Sequence, residues 1–169
     1  GHINILIAGQ TGVGKSTLIN AVFQGQLATT GSGRPVTQNT REITKGDIPI
    51  SIFDTRGLEM AAFQETLQPL EELILTRKRD ADAQRHIHIA WVCISEDSRR
   101  VQEGEDALVQ MLAKHVPVAV IITKARQDDG FRAKVQELLP MARNVVRVRA
   151  ISEHLDEGFV LPAMGLLDL

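Results

Sequence analysis

A second cysteine is missing from this chain. Cys93 stands alone, so no disulfide can form within it. An apolar run of roughly 20 residues, the length needed to cross a bilayer, is also missing, and no signal peptide is visible. The expected compartment is therefore the reducing cytoplasm. A membrane link would have to come from a segment beyond the C-terminus. An excess of one charge is missing too: 19 Lys and Arg stand against 21 Asp and Glu, a net charge of −2. That balance gives no nucleic-acid signature for the chain as a whole. The clusters Arg77-Lys78-Arg79 and Arg99-Arg100 read as solvated surface. No internal repeat and no low-complexity stretch is found.

What is present is an alternation of short apolar runs with longer amphipathic segments. "INILIAG" (3–9), "HIHIAWVCI" (86–94), "PVAVIITK" (117–124) and "NVVRVRA" (144–150) read as strands. "REITKGDI" and "PISIFD" read as two more, joined by the tight turn Lys45-Gly46-Asp47. Helices are expected over 15–23, 60–80, 102–116 and 131–142, with Pro69 kinking or breaking the second. The stretch 25–40, rich in Gly, Ser and Thr, should be a long mobile loop. Cys93 lies in a strand and reads as a small buried hydrophobe. His86 and His88 read as edge or partly buried polar residues.

This βαβ alternation predicts an α/β fold. The expected form is a doubly wound, mostly parallel six-stranded sheet with one antiparallel edge strand and helices on both faces. One domain should span 1–169. The tail "PAMGLLDL" begins a helix and stops, so the last helix reads as cut from a longer chain.

Gly9-Gln10-Thr11-Gly12-Val13-Gly14-Lys15-Ser16 fits G-x-x-x-x-G-K-[ST] in full, between an expected strand and an expected helix. The glycines let backbone N–H groups turn inward as an anion nest, and the helix adds its positive end. Lys15 can reach the β- and γ-phosphates, Ser16 can ligate Mg²⁺, and Thr17 follows in the first helical turn. The loop by itself says nucleotide, without saying which one.

"SIFDTRG" places Asp54 at a strand end, suited to hold Mg²⁺ through a water. Gly57, three residues on, offers a backbone N–H to a γ-phosphate. A switch of the GTPase kind also needs a Thr that completes the Mg²⁺ shell. Thr37 in "PVTQNT" is the first candidate and Thr40 the fallback. Lys15, Gly57 and Thr37 are thus the expected catalytic group, and Ser16, Thr37 and Asp54 the expected metal ligands. No arginine-rich lid or acceptor pocket of a small-molecule kinase is evident.

With "GQTGVGKSTLINAVF", "PVTQNT", "DTRG", "ITKA" and "VRA" in this order, the chain resembles P-loop GTPases of the translation-factor-related class. Its neighbourhood is that of the Era, septin and MMR-type ribosome-binding proteins. The resemblance covers nearly the whole chain and implies a Ras-like G domain that binds GTP and GDP with Mg²⁺.

Three positions depart from the family pattern. The guanine-reading N-K-x-D is Thr123-Lys124-Ala125-Arg126 here. Lys124 can still lie over the base, but Arg126 is only a donor and cannot accept from guanine. Asp128 or Asp129 could substitute. The closing Ser-Ala is Arg149-Ala150, with Ala150 keeping its backbone contact and Arg149 resting on the base or facing solvent. Leu58 stands after Gly57, where Ras-like relatives carry a water-orienting glutamine. Slow hydrolysis is expected, on the order of 10⁻⁴ s⁻¹ or somewhat above. An activating partner or a second copy would then accelerate it, with Arg56, Glu59 and Arg34 as candidate contributors. The leading reading is a GTP-dependent switch. The alternatives are a homodimer or assembly module paired across the nucleotide face, and an ATPase or loosely specific NTPase.

Overall fold

The computed structural model describes residues 1–10, 12–23, 33–56, 63–149, 153–154 and 160–161. The expected last helix lies outside them. Strand β1 (Ile3–Ala8) is buried at every position but the first, because helices cover both faces of the sheet around it. Helix α1 (Lys15–Phe23) follows it, with Leu18, Ile19 and Phe23 turned inward. Then come β2 (Arg34–Pro35), β3 (Thr40–Ile43) and β4 (Ile50–Thr55). The turn between β3 and β4 closes with Ile48 N–H donating to the Lys45 carbonyl at 3.0 Å, and Gly46 supplies its positive φ of 48°.

Helix α2 (Phe63–Lys78) runs through Pro69 without a break, which leaves only a kink of the expected kink or break. The proline removes one bond to the helix's first turn, and burial of Leu70, Leu73 and Ile74 holds the rest against the sheet. Strand β5 (Ile89–Ser95) starts later than the apolar pattern suggests. His86 and His88 belong instead to the connection before it. The Asn4 N–H donates to His88 Nδ1 at 2.9 Å, so His88 Nε2 carries the proton and donates to the Ala83 carbonyl at 2.9 Å. Asn4 also donates its side-chain amide to the carbonyls of Gln84 and His86, each at 2.7 Å.

Helix α3 (Glu103–Ala113) opens on a capping box between Gln102 and Glu105. Strand β6 (Val118–Thr123) is buried throughout. Helix α4 (Phe131–Leu138), strand β7 (Asn144–Arg147) and a short pair, β8 (Glu153–His154) with β9 (Val160–Leu161), complete the order.

The sheet order is β2-β3-β4-β1-β5-β6-β7. Strands β4, β1, β5, β6 and β7 run parallel, while β3 is antiparallel to β4 and β2 to β3. The expected six strands are all present. The seventh is β2, drawn from the stretch expected to be loop: Arg34 and Pro35 pair with Glu42 and Arg41. Alternation along the strands sorts the core into two layers. Ile5, Ile7, Ile52, Trp91, Cys93 and Ile121 face α1. Leu6, Ala8, Phe53, Val92, Ile94 and Val120 face the side of α2, α3 and α4. Because β1 is central, its end delivers the glycine loop to the middle of the sheet's carboxyl edge, where open α/β sheets bind ligands.

Candidate functional site

Beyond Ala8 the chain must turn between two neighbouring strands. Gly9 is needed for space: a Cβ there would stand 2.9 Å from the Cys93 carbonyl oxygen and 3.0 Å from Val13 Cγ2. Gly12 and Gly14 take φ values of 84° and 94°, the left-handed region that disfavours side chains. Leu18 N–H donates to the Gly14 carbonyl at 3.0 Å, starting the α1 ladder. The orphan amides of the first helical turn and the helix dipole thus point toward one space. Gly9, Gln10, Gly12, Gly14, Lys15, Ser16 and Thr17 line a cleft of ≈ 370 Å³, together with Arg56 and Lys124.

Asp54 sits under this cleft, 1% exposed, near the end of β4. Lys15 Nζ lies 3.3 Å from its Oδ1, and Arg56 Nε donates to its Oδ2 at 3.2 Å. The Lys15 contact is an ion pair without hydrogen-bond geometry. Oδ1 is the one buried side-chain oxygen or nitrogen among the described residues that lacks a hydrogen bond. A buried carboxylate oxygen left in this way has spare capacity for a donor such as a metal-bound water. With the Ser16 hydroxyl lining the same cleft, the donor set is all oxygen, as Mg²⁺ prefers, so these residues fit the ion.

On the other side of the loop the Thr123 hydroxyl donates to the Val13 carbonyl and lies 3.3 Å from the Ile94 carbonyl. It ties the β6 end to the glycine loop. Lys124 has a φ of 56°, and its Nζ donates to the Gly12 carbonyl at 2.6 Å. The segment after it is held by a residue the sequence reading passed over. Glu96, just past β5, is 1% exposed. Its Oε2 accepts from the Arg126 and Gln127 amides, the latter at 3.0 Å, and its Oε1 accepts from Arg147 Nε at 2.7 Å. Burial by itself would raise this carboxyl's pKa. The Arg147 hydrogen bond and the two amides outweigh burial and hold it below the usual range. The one signal in the sequence was an acidic residue directly after a buried strand.

Several expected site residues stand elsewhere. Arg149 is buried and donates to the Ala125 carbonyl at 2.6 Å, so it does not face solvent. Arg126 is exposed at its side chain, with its amide on Glu96. Asp128 accepts from Arg132 N–H at 2.8 Å, and Asp129 from the Gln127 side chain at 3.2 Å. Neither lines the cleft. Thr37 lies in the turn before β3, where its Oγ1 accepts from Asn39 N–H at 3.3 Å, away from the cleft lining. Thr40 is buried, and its hydroxyl lies 3.0 Å from the Thr55 hydroxyl inside the β3–β4 ladder, so the fallback is committed to the sheet. Arg34 pairs with Glu42 at 2.7 Å on the sheet edge rather than entering the cleft. Thr11, Gly57, Leu58, Glu59 and Ala150 lie outside the described residues.

Two thiol and acid groups near the site are structural. Burial pushes the Cys93 thiol up to about 12, which removes it as a nucleophile. Burial also raises the Glu105 carboxyl, partly offset by its bond from Gln102 N–H. Gln10 reaches the same cap, donating to the Gln102 side chain at 2.6 Å.

The family model described as 50S ribosome-binding GTPase matches residues 4–124. The chain is 32% identical over 126 residues to the tRNA modification GTPase MnmE of Methylococcus capsulatus, covering 72% of this chain and 25% of that protein. It is 28% identical over 154 residues to the GTPase Der of Jannaschia sp., covering 83% of this chain and 30% of that protein. It therefore spans about a quarter to a third of the curated relatives it matches. Its fold is similar to a solved structure from work on dimerisation and GTPase activity in the chloroplast translocon components atToc33 and psToc159. That likeness has a TM-score of 0.62 at 18% identity, over 98% of this chain and 78% of the other. The chain belongs to the 50S ribosome-binding GTPase family.

Proposed function

We propose that this member of the 50S ribosome-binding GTPase family binds GTP and GDP with Mg²⁺ in the ≈ 370 Å³ cleft, hydrolyses GTP slowly, and uses the cycle as a switch. The observation that carries this reading is Lys15 facing Asp54 at 3.3 Å at the head of a glycine loop, with Asp54 Oδ1 short of a hydrogen bond. An ammonium and a carboxylate so placed have separate tasks once phosphate arrives.

Lys15 leaves its ion pair for the β- and γ-phosphates. Amides around Gly12 and Gly14 approach the phosphate oxygens without a side chain in the way. Ser16 and Asp54 would hold the metal, with Thr37 supplied by a movement of its turn. When bound, Mg²⁺ neutralises charge on the β- and γ-oxygens. Thr123 fixes the glycine loop against the β6 end, and Lys124 covers the base with its stem. Gly57 would offer its amide to the γ-phosphate, and loss of that group on hydrolysis would release the segments around 37 and 57.

Guanine is favoured by the family. With Arg126 in the acceptor position, discrimination against adenine should be modest. Calorimetric titration with GDP and ADP, on the wild type and Lys15→Ala, tests the reading. GDP binding in the micromolar range or tighter, weakened at least tenfold by Lys15→Ala, supports it. Affinity that Lys15→Ala leaves unchanged rejects it, and tighter ADP than GDP binding rejects the base assignment alone.

A second reading is dimerisation across the nucleotide face. It is favoured by Leu58 and by Gln10, whose side-chain amide is bonded to Gln102 rather than held ready for the attacking water. The related fold studied for dimerisation and GTPase activity makes the same suggestion. Sedimentation with GTP, with GDP and without nucleotide separates a monomeric switch from a nucleotide-driven dimer.

A further inference from the structure

Among the described residues lining the cleft, Arg56 is the one that comes from neither the glycine loop and its helix nor the β6 end. Its backbone is fixed: its N–H donates to the Asn39 carbonyl at 2.9 Å, and the preceding Thr55 is buried against Thr40. Its side chain is 42% exposed and holds Asp54 Oδ2 through Nε at 3.2 Å, a long contact for a charge-assisted bond. Asp54 therefore stands between two cations, Lys15 on one oxygen and Arg56 on the other.

We propose that Arg56 is the residue that reads the third phosphate, its guanidinium passing from Asp54 to the terminal phosphate when a triphosphate occupies the cleft. The inference rests on the nucleotide reading above. Charge decides the direction of the transfer. A terminal phosphate carries more negative charge than one carboxylate and presents three oxygens to a planar fork of donors. A divalent ion held at Asp54 would repel a guanidinium on the neighbouring oxygen. Both effects move Arg56 the same way; the ion acts with either nucleotide, but only a triphosphate offers the third group that receives the guanidinium. The anchored backbone means that only side-chain torsions need change. The transfer also breaks the Asp54–Arg56 contact and frees Asp54 Oδ2.

The test is the ratio of affinities for a non-hydrolysable GTP analogue and for GDP, measured by calorimetry with Mg²⁺ on wild type, Arg56→Ala and Arg56→Lys. For Arg56→Ala the analogue should bind about tenfold more weakly, a loss of ~1.4 kcal/mol, with GDP affinity within about twofold of wild type. Arg56→Lys should recover part of the loss, since it keeps the charge without the fork. Equal weakening of both ligands would make Arg56 a support for Asp54 only, and unchanged affinity for both would remove it from the site; either overturns the proposal. A thermal melt of each variant identifies loss by unfolding, and Arg56→Lys, which retains a cation beside Asp54, carries the test if Arg56→Ala does not fold. Wild-type protein that binds neither guanine nor adenine nucleotide overturns the nucleotide reading and this inference together. Wild-type preference for adenine overturns the base assignment only, and the same ratio is then read with ADP and a non-hydrolysable ATP analogue.

Discussion

Arg147 Nε lies 2.7 Å from Glu96 Oε1, joining the ends of β5 and β7 across the end of β6, where the loop 124–130 leaves the sheet. The pair does more than link two strands. The second oxygen of Glu96 carries the Arg126 and Gln127 amides, and Arg99 closes over the same loop by donating to the Asp128 carbonyl at 2.5 Å. The loop that would meet the base is therefore positioned in part by a buried carboxylate outside it.

Glu96→Gln should destabilise the fold by ~2–3 kcal/mol, the range for losing a charged hydrogen-bond partner. It should weaken GDP more than pyrophosphate, because only the base side of the site is disturbed. The same pair sets a pH response. Folding lowers the Glu96 pKa, so its contribution is fully present above the unfolded carboxyl value and is lost as pH falls through the lower folded value. Wild type should lose stability faster than Glu96→Gln as denaturant melts are moved from pH 6 into the acid range. Parallel curves for the two proteins would contradict the assignment.

Arg126→Asp should raise the ratio of GDP to ADP affinity by about tenfold or more. It supplies a carboxylate where the family reads guanine N–H groups, and an unmet hydrogen-bonding site rejects the wrong base strongly. The Arg126 amide stays on Glu96 through its backbone, so the loop position survives the change. Side-by-side titrations with the two diphosphates measure it.

Cys93 should resist thiol reagents in the native protein at pH 8 over hours and take up one equivalent in denaturant. It is buried, and its thiol is raised to about 12. Rapid native labelling, counted by mass, would mean that the β5 end opens far more often than its packing implies.

Single-turnover GTP hydrolysis by the isolated domain should run on the order of 10⁻⁴ s⁻¹ or somewhat above. Leu58 cannot orient water, and Gln10 is engaged with Gln102. A rate of several per second would show a water-positioning group that this account lacks.

Much of the fold was legible because it is written in periodicity. Continuous apolar runs such as VAVIIT and IAWVCIS can only be satisfied between two layers, and a glycine loop between strand and helix specifies its own backbone. The elements misjudged are those decided by contacts distant in sequence. Pro69 was expected to kink or break α2; the helix is not broken there, and packing of Leu70, Leu73 and Ile74 holds it against the sheet. Arg34 and Pro35 looked like loop, and they became a strand only because β3 offered an edge. Thr40, the fallback to Thr37 as a metal ligand, has its hydroxyl 3.0 Å from that of Thr55 inside the ladder, a contact that only strand register sets.

By itself the sequence determined the local devices: the phosphate loop, whose residues are adjacent and whose turn is set by glycine, and the strands, whose apolar patterns admit one environment. Only the tertiary structure decided which charges meet. Lys15 with Asp54 and Glu96 with Arg147 are pairs separated widely along the chain, and nothing in local composition selects one carboxylate over another. Their partners follow from strand order, which brings the ends of parallel strands together at one edge and leaves each buried charge the neighbours that the crossovers deliver.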